Sequence, residues 1–281
     1  MSAGYFELAL LAATVIGGGS GFVGALVVLR RRTFFAQALT HATYPGAVVA
    51  AAIGASVPLG AAVASVAIVA IMQLVARTRR QGSQVAAGIV LTGGFAAGAL
   101  LQAAIPGIPV RAESLLVGSI LTVTTADIVL AASVFAVAIG AVTAFGKELA
   151  FSTFDPAGYR AAGYRAWPVE LLVLALTAAT VVTALPAVGA ILAIALIAAP
   201  AAAARLVLGS FRGILVASAA IGAASGILGV LASRAFAVAA GPAIVLAATA
   251  FFLIALIARR VRRLPWRRDI PVETAEEARL A

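Results

Sequence analysis

The chain has no cysteine, a single histidine, and charged residues amounting to only 11% of its 281 positions. Without thiols there are no disulfides, no thiolate-held metals and no iron–sulfur clusters. Acidic residues are sparse as well: Glu7, Glu113, Asp127, Glu148, Asp155, Glu170, Asp269, Glu273, Glu276 and Glu277. All of these fall at the ends of apolar runs, between them, or in the C-terminal tail. Carriers driven by protons or sodium need an ionisable group near mid-membrane, so no intrinsic coupling site for ions is expected. If transport here consumes energy, a partner supplies it. A Ser/His/Asp triad is excluded too, because the lone histidine has no acidic neighbour. Two glycine patterns imitate nucleotide sites. Gly19-Ser20-Gly21-Phe22-Val23-Gly24 lies inside an apolar run with no strand before it. In Gly140…Gly146-Lys147-Glu148 the glycines are one residue too far apart, and Glu148 replaces the hydroxyl that would hold magnesium.

What is abundant is apolar surface. Hydrophobic residues make up 63% of the chain, and the mean hydropathy is +1.13. A soluble domain is about 45–50% apolar and about 25% charged. The chain therefore reads as an all-α integral membrane protein. A β-barrel is excluded because the apolar runs are long and unbroken rather than alternating. Crossing the hydrocarbon takes about 20 apolar residues, and nine runs qualify: 5–29, 34–54, 58–76, 85–105, 125–146, 168–184, 187–207, 213–233 and 242–258. Only Leu185-Pro186 divides the sixth from the seventh, so a tight turn is expected there; without it the count is eight. Residues 115–122 form a shorter apolar stretch, read as a partial or re-entrant element. The membrane part is expected to cover 1–264, with 265–281 as a mixed-charge tail. The N-terminal run lacks a basic leader and is too long for a cleavable signal.

The formal charge of +10 would suit a nucleic-acid binder, but the positions of the basic residues account for it otherwise. With the N-terminus outside, eighteen Lys and Arg fall in inside segments and only Arg111 and Arg234 fall outside. That asymmetry is the positive-inside rule. It places the C-terminus in the cytoplasm and assigns the arginines to lipid headgroups rather than to nucleic acid. The pairs Gly17/Gly21, Gly94/Gly98 and Gly222/Gly226 are G-x-x-x-G spacings, read mainly as helix packing within one bundle.

One polar constellation lies within a span. Gln37 and His41 are four residues apart in the second run and so share a helix face, with Thr40 beside it. If the span starts at Phe34, His41 lies about 10 Å deep. Pro45 removes a backbone donor, bends the helix and frees the His41 carbonyl. A buried imidazole bonded to a neighbouring helix is one reading. The other is a passage site for a divalent cation, since neutral imidazole ligates zinc and is acceptable to manganese. One His and one Gln cannot hold such an ion alone, but a twofold dimer would supply two of each.

The longest connection apart from the tail runs from Gly146 to Trp167. Asp155 can cap a helix whose first residue is Pro156, and Gly163 can end it. The product is a short surface helix, either an interfacial segment or a coupling helix that docks into a soluble partner.

These segments together resemble the permeases of bacterial ABC importers for zinc and manganese. The resemblance is carried by Arg32…Ala38-Leu39-Thr40-His41-Ala42…Pro45-Gly46, by Phe154-Asp155-Pro156…Ala161-Ala162-Gly163, and by Val188-Gly189-Ala190-Ile191-Leu192…Pro200-Ala201…Ala204-Arg205 followed by Gly241-Pro242-Ala243. Leu116-Val117-Gly118-Ser119-Ile120-Leu121-Thr122-Val123 is similar to that family's segment before the fifth span. The resemblance implies a homodimeric, non-enzymatic permease of the bacterial cytoplasmic membrane. It would sit on two copies of a separate cytoplasmic ABC ATPase, fed by an extracytoplasmic metal-binding protein. Phe154, Asp155, Pro156, Ala161 and Gly163 would form its ATPase-coupling segment. Gln37 and His41 would meet the transported zinc or manganese, with no permanently bound cofactor. Two positions depart from the family pattern: Gln37 stands where the motif has Asp, and Ser83-Gln84 stands where it has an acidic pair. The missing charges leave a second reading open, in which the same fold carries a metal chelate or siderophore. An ATP-independent channel or scaffold is a third.

Overall fold

The computed structural model describes residues 3–76, 83–105, 118–120 and 123–263. Among these the chain is helical and has no strand. The helices are α1 (Ala3–Leu29), α2 (Thr33–Ala42), α3 (Tyr44–Ala52), α4 (Val57–Ala76), α5 (Ser83–Ala104), α6 (Thr125–Phe154), α7 (Pro156–Ala161), α8 (Ala166–Val188), α9 (Ala190–Val207), α10 (Phe211–Phe236) and α11 (Ala240–Arg263). Six of them, α1, α5, α6, α8, α10 and α11, are long and apolar enough to cross a membrane, and α4 and α9 hold shorter apolar stretches. The chain is a multi-pass membrane protein. The basic segment 77–80 and the tail lie outside the described residues, as does most of the 115–122 stretch.

The centre of the bundle is α1, largely buried, with α8, α9 and α10 around it. The contact between α1 and α10 is the most extensive, and small residues make it possible. A Cβ added at Gly17 would collide with the Gly222 carbonyl, one at Gly21 with that of Ser218, and one at Gly226 with that of Ala13. The order of these contacts makes the two helices antiparallel. Where apolar burial gives helices no drive to associate, close backbone approach and dispersion hold them. The glycine pairs therefore pack inside one chain, as expected, and Gly94 and Gly98 do the same against Ala42 and Tyr44.

The second run is broken as Pro45 requires. Helices α2 and α3 meet at Thr43, whose N–H still bonds the Leu39 carbonyl at 3.1 Å. Proline at the second position of α3 offers no N–H to the carbonyl of His41.

Two expected boundaries are corrected. The turn between the sixth and seventh runs falls at Gly189, not at Leu185-Pro186. Pro186 is accommodated inside the last turn of α8, and the chain reverses where Gly189 takes φ +81°, a conformation that glycine adopts without steric cost. The connection beginning at Gly146 is also shorter than expected. Helix α6 does not end there; it kinks at Phe145 (φ −113°, ψ 20°) and continues to Phe154. Only the segment from Asp155 to Arg165 is left as a separate unit.

A candidate permeation face and its link to the basic end

Gln37 and His41 lie on one face of α2, both half-buried, while Phe35, Ala36, Ala38, Leu39 and Thr40 turn inward. Thr40 does not join them. It is fully buried, and its hydroxyl donates to the Gln37 carbonyl at 2.8 Å. The His41 ring stands edge-on to Phe95 of α5, with centroids 6.0 Å apart and planes at 88°. Phe95 in turn stacks on Tyr44 at 5.7 Å, and the Tyr44 hydroxyl donates to Gln102 Oε1. Phe34 and Phe95, flanking the stripe, are 39% and 38% exposed. The imidazole is thus half-buried and backed by an aromatic wall.

Three of these neighbours, Tyr44, Phe95 and Gln102, were not singled out in the sequence. Gln102 is a polar residue in the second half of an apolar run, which is the signal that could have found it. Phe95 gives no such signal. No group of three or more His, Cys, Asp or Glu side chains placed to hold a metal occurs among the described residues. One copy of the chain does not enclose an ion with these ligands.

At the opposite end of α2 the side chains tie several helices together. Arg32 forms an ion pair with Glu170 at the start of α8. Arg30 donates to Ser152 Oγ at 2.5 Å and to the Leu149 carbonyl at 3.4 Å, both on the last turns of α6. Burial holds the Arg30 guanidinium below the usual arginine pKa, and the nearby Glu170 partly offsets this.

The segment after α6 folds as its residues dictate. The Asp155 side chain accepts from the Gly158 N–H at 2.8 Å and caps α7, with Pro156 as its first residue. Gly163 adopts φ +84° just beyond the helix end. Six residues cannot hold a helix unaided, and the anchor is Tyr159. This ring is 4% exposed, stacks on Tyr164 at 5.0 Å and meets Phe151 of α6 edge-on at 5.4 Å. Phe154 is 58% exposed and touches Phe211 at the start of α10. Pro156, Ala161 and Gly163 are exposed. The five residues expected to couple therefore form one surface unit, and Tyr159, which the sequence reading passed over, fastens it.

Comparison with known proteins places this architecture. The family model described as ABC 3 transport family matches residues 3–259. The chain is 31% identical over 255 residues to the Manganese transport system membrane protein MntC of Halalkalibacterium halodurans, covering 91% of this chain and 87% of that protein. It is 34% identical over 272 residues to the Zinc transport system membrane protein TroC of Treponema pallidum, covering 92% and 91%. The solved structure of PsaBC from Streptococcus pneumoniae in complex with Fab superposes with a TM-score of 0.81 at 30% identity, covering 91% of this chain and 92% of that one.

Proposed function

The chain belongs to the ABC 3 transport family, and from that premise we propose that it is the permease of an ATP-driven importer for manganese or zinc. Two copies would face each other across a pore in the bacterial cytoplasmic membrane. The orientation is the one the basic residues favour, N-terminus outside and C-terminus inside, with α2–α3, α4 and α9 completing nine crossings. The observation that carries the reading is the placement of Gln37 and His41. Polar and ionisable groups are costly against lipid and usually face a bundle interior or a water-filled cavity. Here they lie half-buried on one face of α2, where a second copy would supply the missing ligands.

The imidazole offers one neutral nitrogen per copy, and Gln37 offers a neutral oxygen. A ligand set without charge binds a dication weakly, which suits passage rather than storage. The wall of Phe95 and Tyr44 restricts the motion of the His41 ring. At the other end, α7 would dock into a cytoplasmic ATPase. Its displacement reaches α6 through Tyr159 and Phe151, crosses to the α1–α2 turn through Arg30, and reaches α2 directly through that turn. Arg32–Glu170 keeps α8 in step. Rigid-body movement of this kind would alternate the pore between inner and outer access. An extracytoplasmic metal-binding protein would deliver the ion.

The test is uptake of radioactive manganese and zinc into proteoliposomes holding the chain and its ATPase. ATP-dependent uptake, abolished by His41→Ala and retained for free ions in the presence of chelate competitors, is the expected result. Uptake of a chelate alone, or uptake without ATP, would replace this reading.

A further inference from the structure

At the basic end, beside the side chains that link α7 to α2, lies a cavity of about 520 Å³. Its lining includes five arginines, Arg30, Arg31, Arg32, Arg160 and Arg205, against one carboxylate, Glu170. Arg30 is committed to the end of α6, and Arg32 to Glu170. The guanidinium groups of Arg31, Arg160 and Arg205 make no hydrogen bond or ion pair among the described residues. They come from three separate elements: the α1–α2 turn, the last turn of α7 and the last turn of α9. All three are exposed, and unpaired positive charges gathered around one cavity raise the local concentration of anions there.

The backbone at Arg31 supplies an independent observation. Helix α1 ends in a Schellman turn: the Arg31 N–H bonds the Val28 carbonyl at 3.1 Å, and the Arg32 N–H bonds the Val27 carbonyl at 2.8 Å. In this motif the residue at Arg31's position is left-handed and is usually glycine. Arg31 has φ +56°. A side chain is therefore held where the backbone favours none, at the rim of an arginine-lined cavity. Backbone strain of this kind marks sites where the side chain has a task.

Arg205 also lines a neighbouring cleft of about 490 Å³, together with Arg259 and the apolar side chains of Val28, Ala202, Leu206 and Phe252.

We propose that this basin binds the phosphate of an anionic phospholipid, with Arg31, Arg160 and Arg205 on the headgroup. Arginine suits the role because its planar fork meets phosphate oxygens bidentately. Which leaflet supplies the lipid follows from the orientation proposed above; the binding chemistry does not depend on it. Because the basin includes the α1–α2 turn and α7, an occupied site would brace the elements that link the surface helix to α2.

The experiment uses the full chain purified in detergent and reads thermal stability and native mass spectra with added lipid. Phosphatidylglycerol should raise the melting temperature by several degrees and stay bound in the gas phase, and phosphatidylcholine should do neither. Arg160→Gln and Arg205→Gln should each reduce the phosphatidylglycerol shift at least threefold. Arg31→Gly should reduce it similarly while leaving the lipid-free melting temperature equal or higher, which simple misfolding cannot produce. Equal shifts with both lipids, or full selectivity in Arg31→Gly, overturn the proposal. So does an equal shift with millimolar inorganic phosphate, which would make the ligand a free anion. Failure of lipid selectivity together with weaker ATPase binding in all three variants would assign the basin to an acidic protein partner instead. None of these outcomes depends on metal uptake, so the proposed transport function stands or falls separately.

Discussion

Replacing Tyr159 with alanine should release the surface helix α7 while leaving the membrane bundle folded. Truncating a buried aromatic side chain costs about 3–5 kcal/mol. The two ring pairs, with Tyr164 at 5.0 Å and Phe151 at 5.4 Å, account for roughly 1–3 kcal/mol of that. Against this loss the segment retains the Asp155 cap, worth about 1 kcal/mol, and a helix too short to persist alone. The balance favours an undocked segment, because no other residue of α7 is buried. The glycine contacts between α1 and α10 do not involve Tyr159 and should keep the rest intact. Limited proteolysis of the full chain should show new cleavage between 156 and 165. Reconstituted with the ATPase, the variant should lose at least tenfold in ATP-dependent uptake while the melting temperature of the bundle falls by only a few degrees. Tyr159→Phe keeps both ring contacts and should behave as the parent. A Tyr159→Ala protein that resists protease and transports normally would refute the claim that this ring fastens the coupling segment.

Other expectations follow from the same geometry. Gln37→Asp adds one negative charge per copy beside the proposed ion path and should tighten manganese or zinc binding at least tenfold, about 1.4 kcal/mol; unchanged affinity by isothermal titration would remove Gln37 from the path. Gly222→Leu forces a side chain into the Gly17 backbone and should cost more than the roughly 1–3 kcal/mol of ordinary overpacking, read as loss of folded protein in detergent. Arg31→Gly should stabilise the lipid-free chain by roughly 0.5–1 kcal/mol, since relief of the left-handed backbone outweighs the entropy that glycine adds to the unfolded chain. A double-mutant cycle on Arg32 and Glu170, whose side chains are 32% and 34% exposed, should return a coupling of about 1 kcal/mol or less; a larger value would mean that the pair is far better shielded from water than this.

Hydropathy made the membrane class, the runs and their approximate ends readable, because crossing a bilayer dictates length and composition directly. Local rules made the α7 cap and its glycine stop readable too, and the break at Pro45. The misplaced boundaries have local causes. Pro186 looked like a breaker, but near the end of the helix it interrupts only the bond to the Val182 carbonyl, and Gly189 is the residue that can take the reversing φ. Gly146 looked like the end of a span, but an apolar count cannot tell a kink from a terminus, and the helix continues as its polar residues emerge. Tyr159 and Phe95 stayed hidden for a different reason. An aromatic in a connection reads as surface, and an aromatic in a span reads as lipid-facing, until a partner ring from another element is placed against it. The arginine basin needed three dimensions outright, since Arg31, Arg160 and Arg205 are separated by more than forty residues at each step.

The proposed meeting of an imidazole with the transported ion is directly measurable, because of the composition. His41 is the chain's only histidine, so in an untagged preparation any imidazole nitrogen bound to the metal belongs to it. Pulsed electron paramagnetic resonance of manganese(II) bound to the reconstituted protein should show nitrogen couplings from imidazole, lost in His41→Ala along with uptake. Bound manganese without nitrogen coupling, in a preparation that still transports, would contradict it.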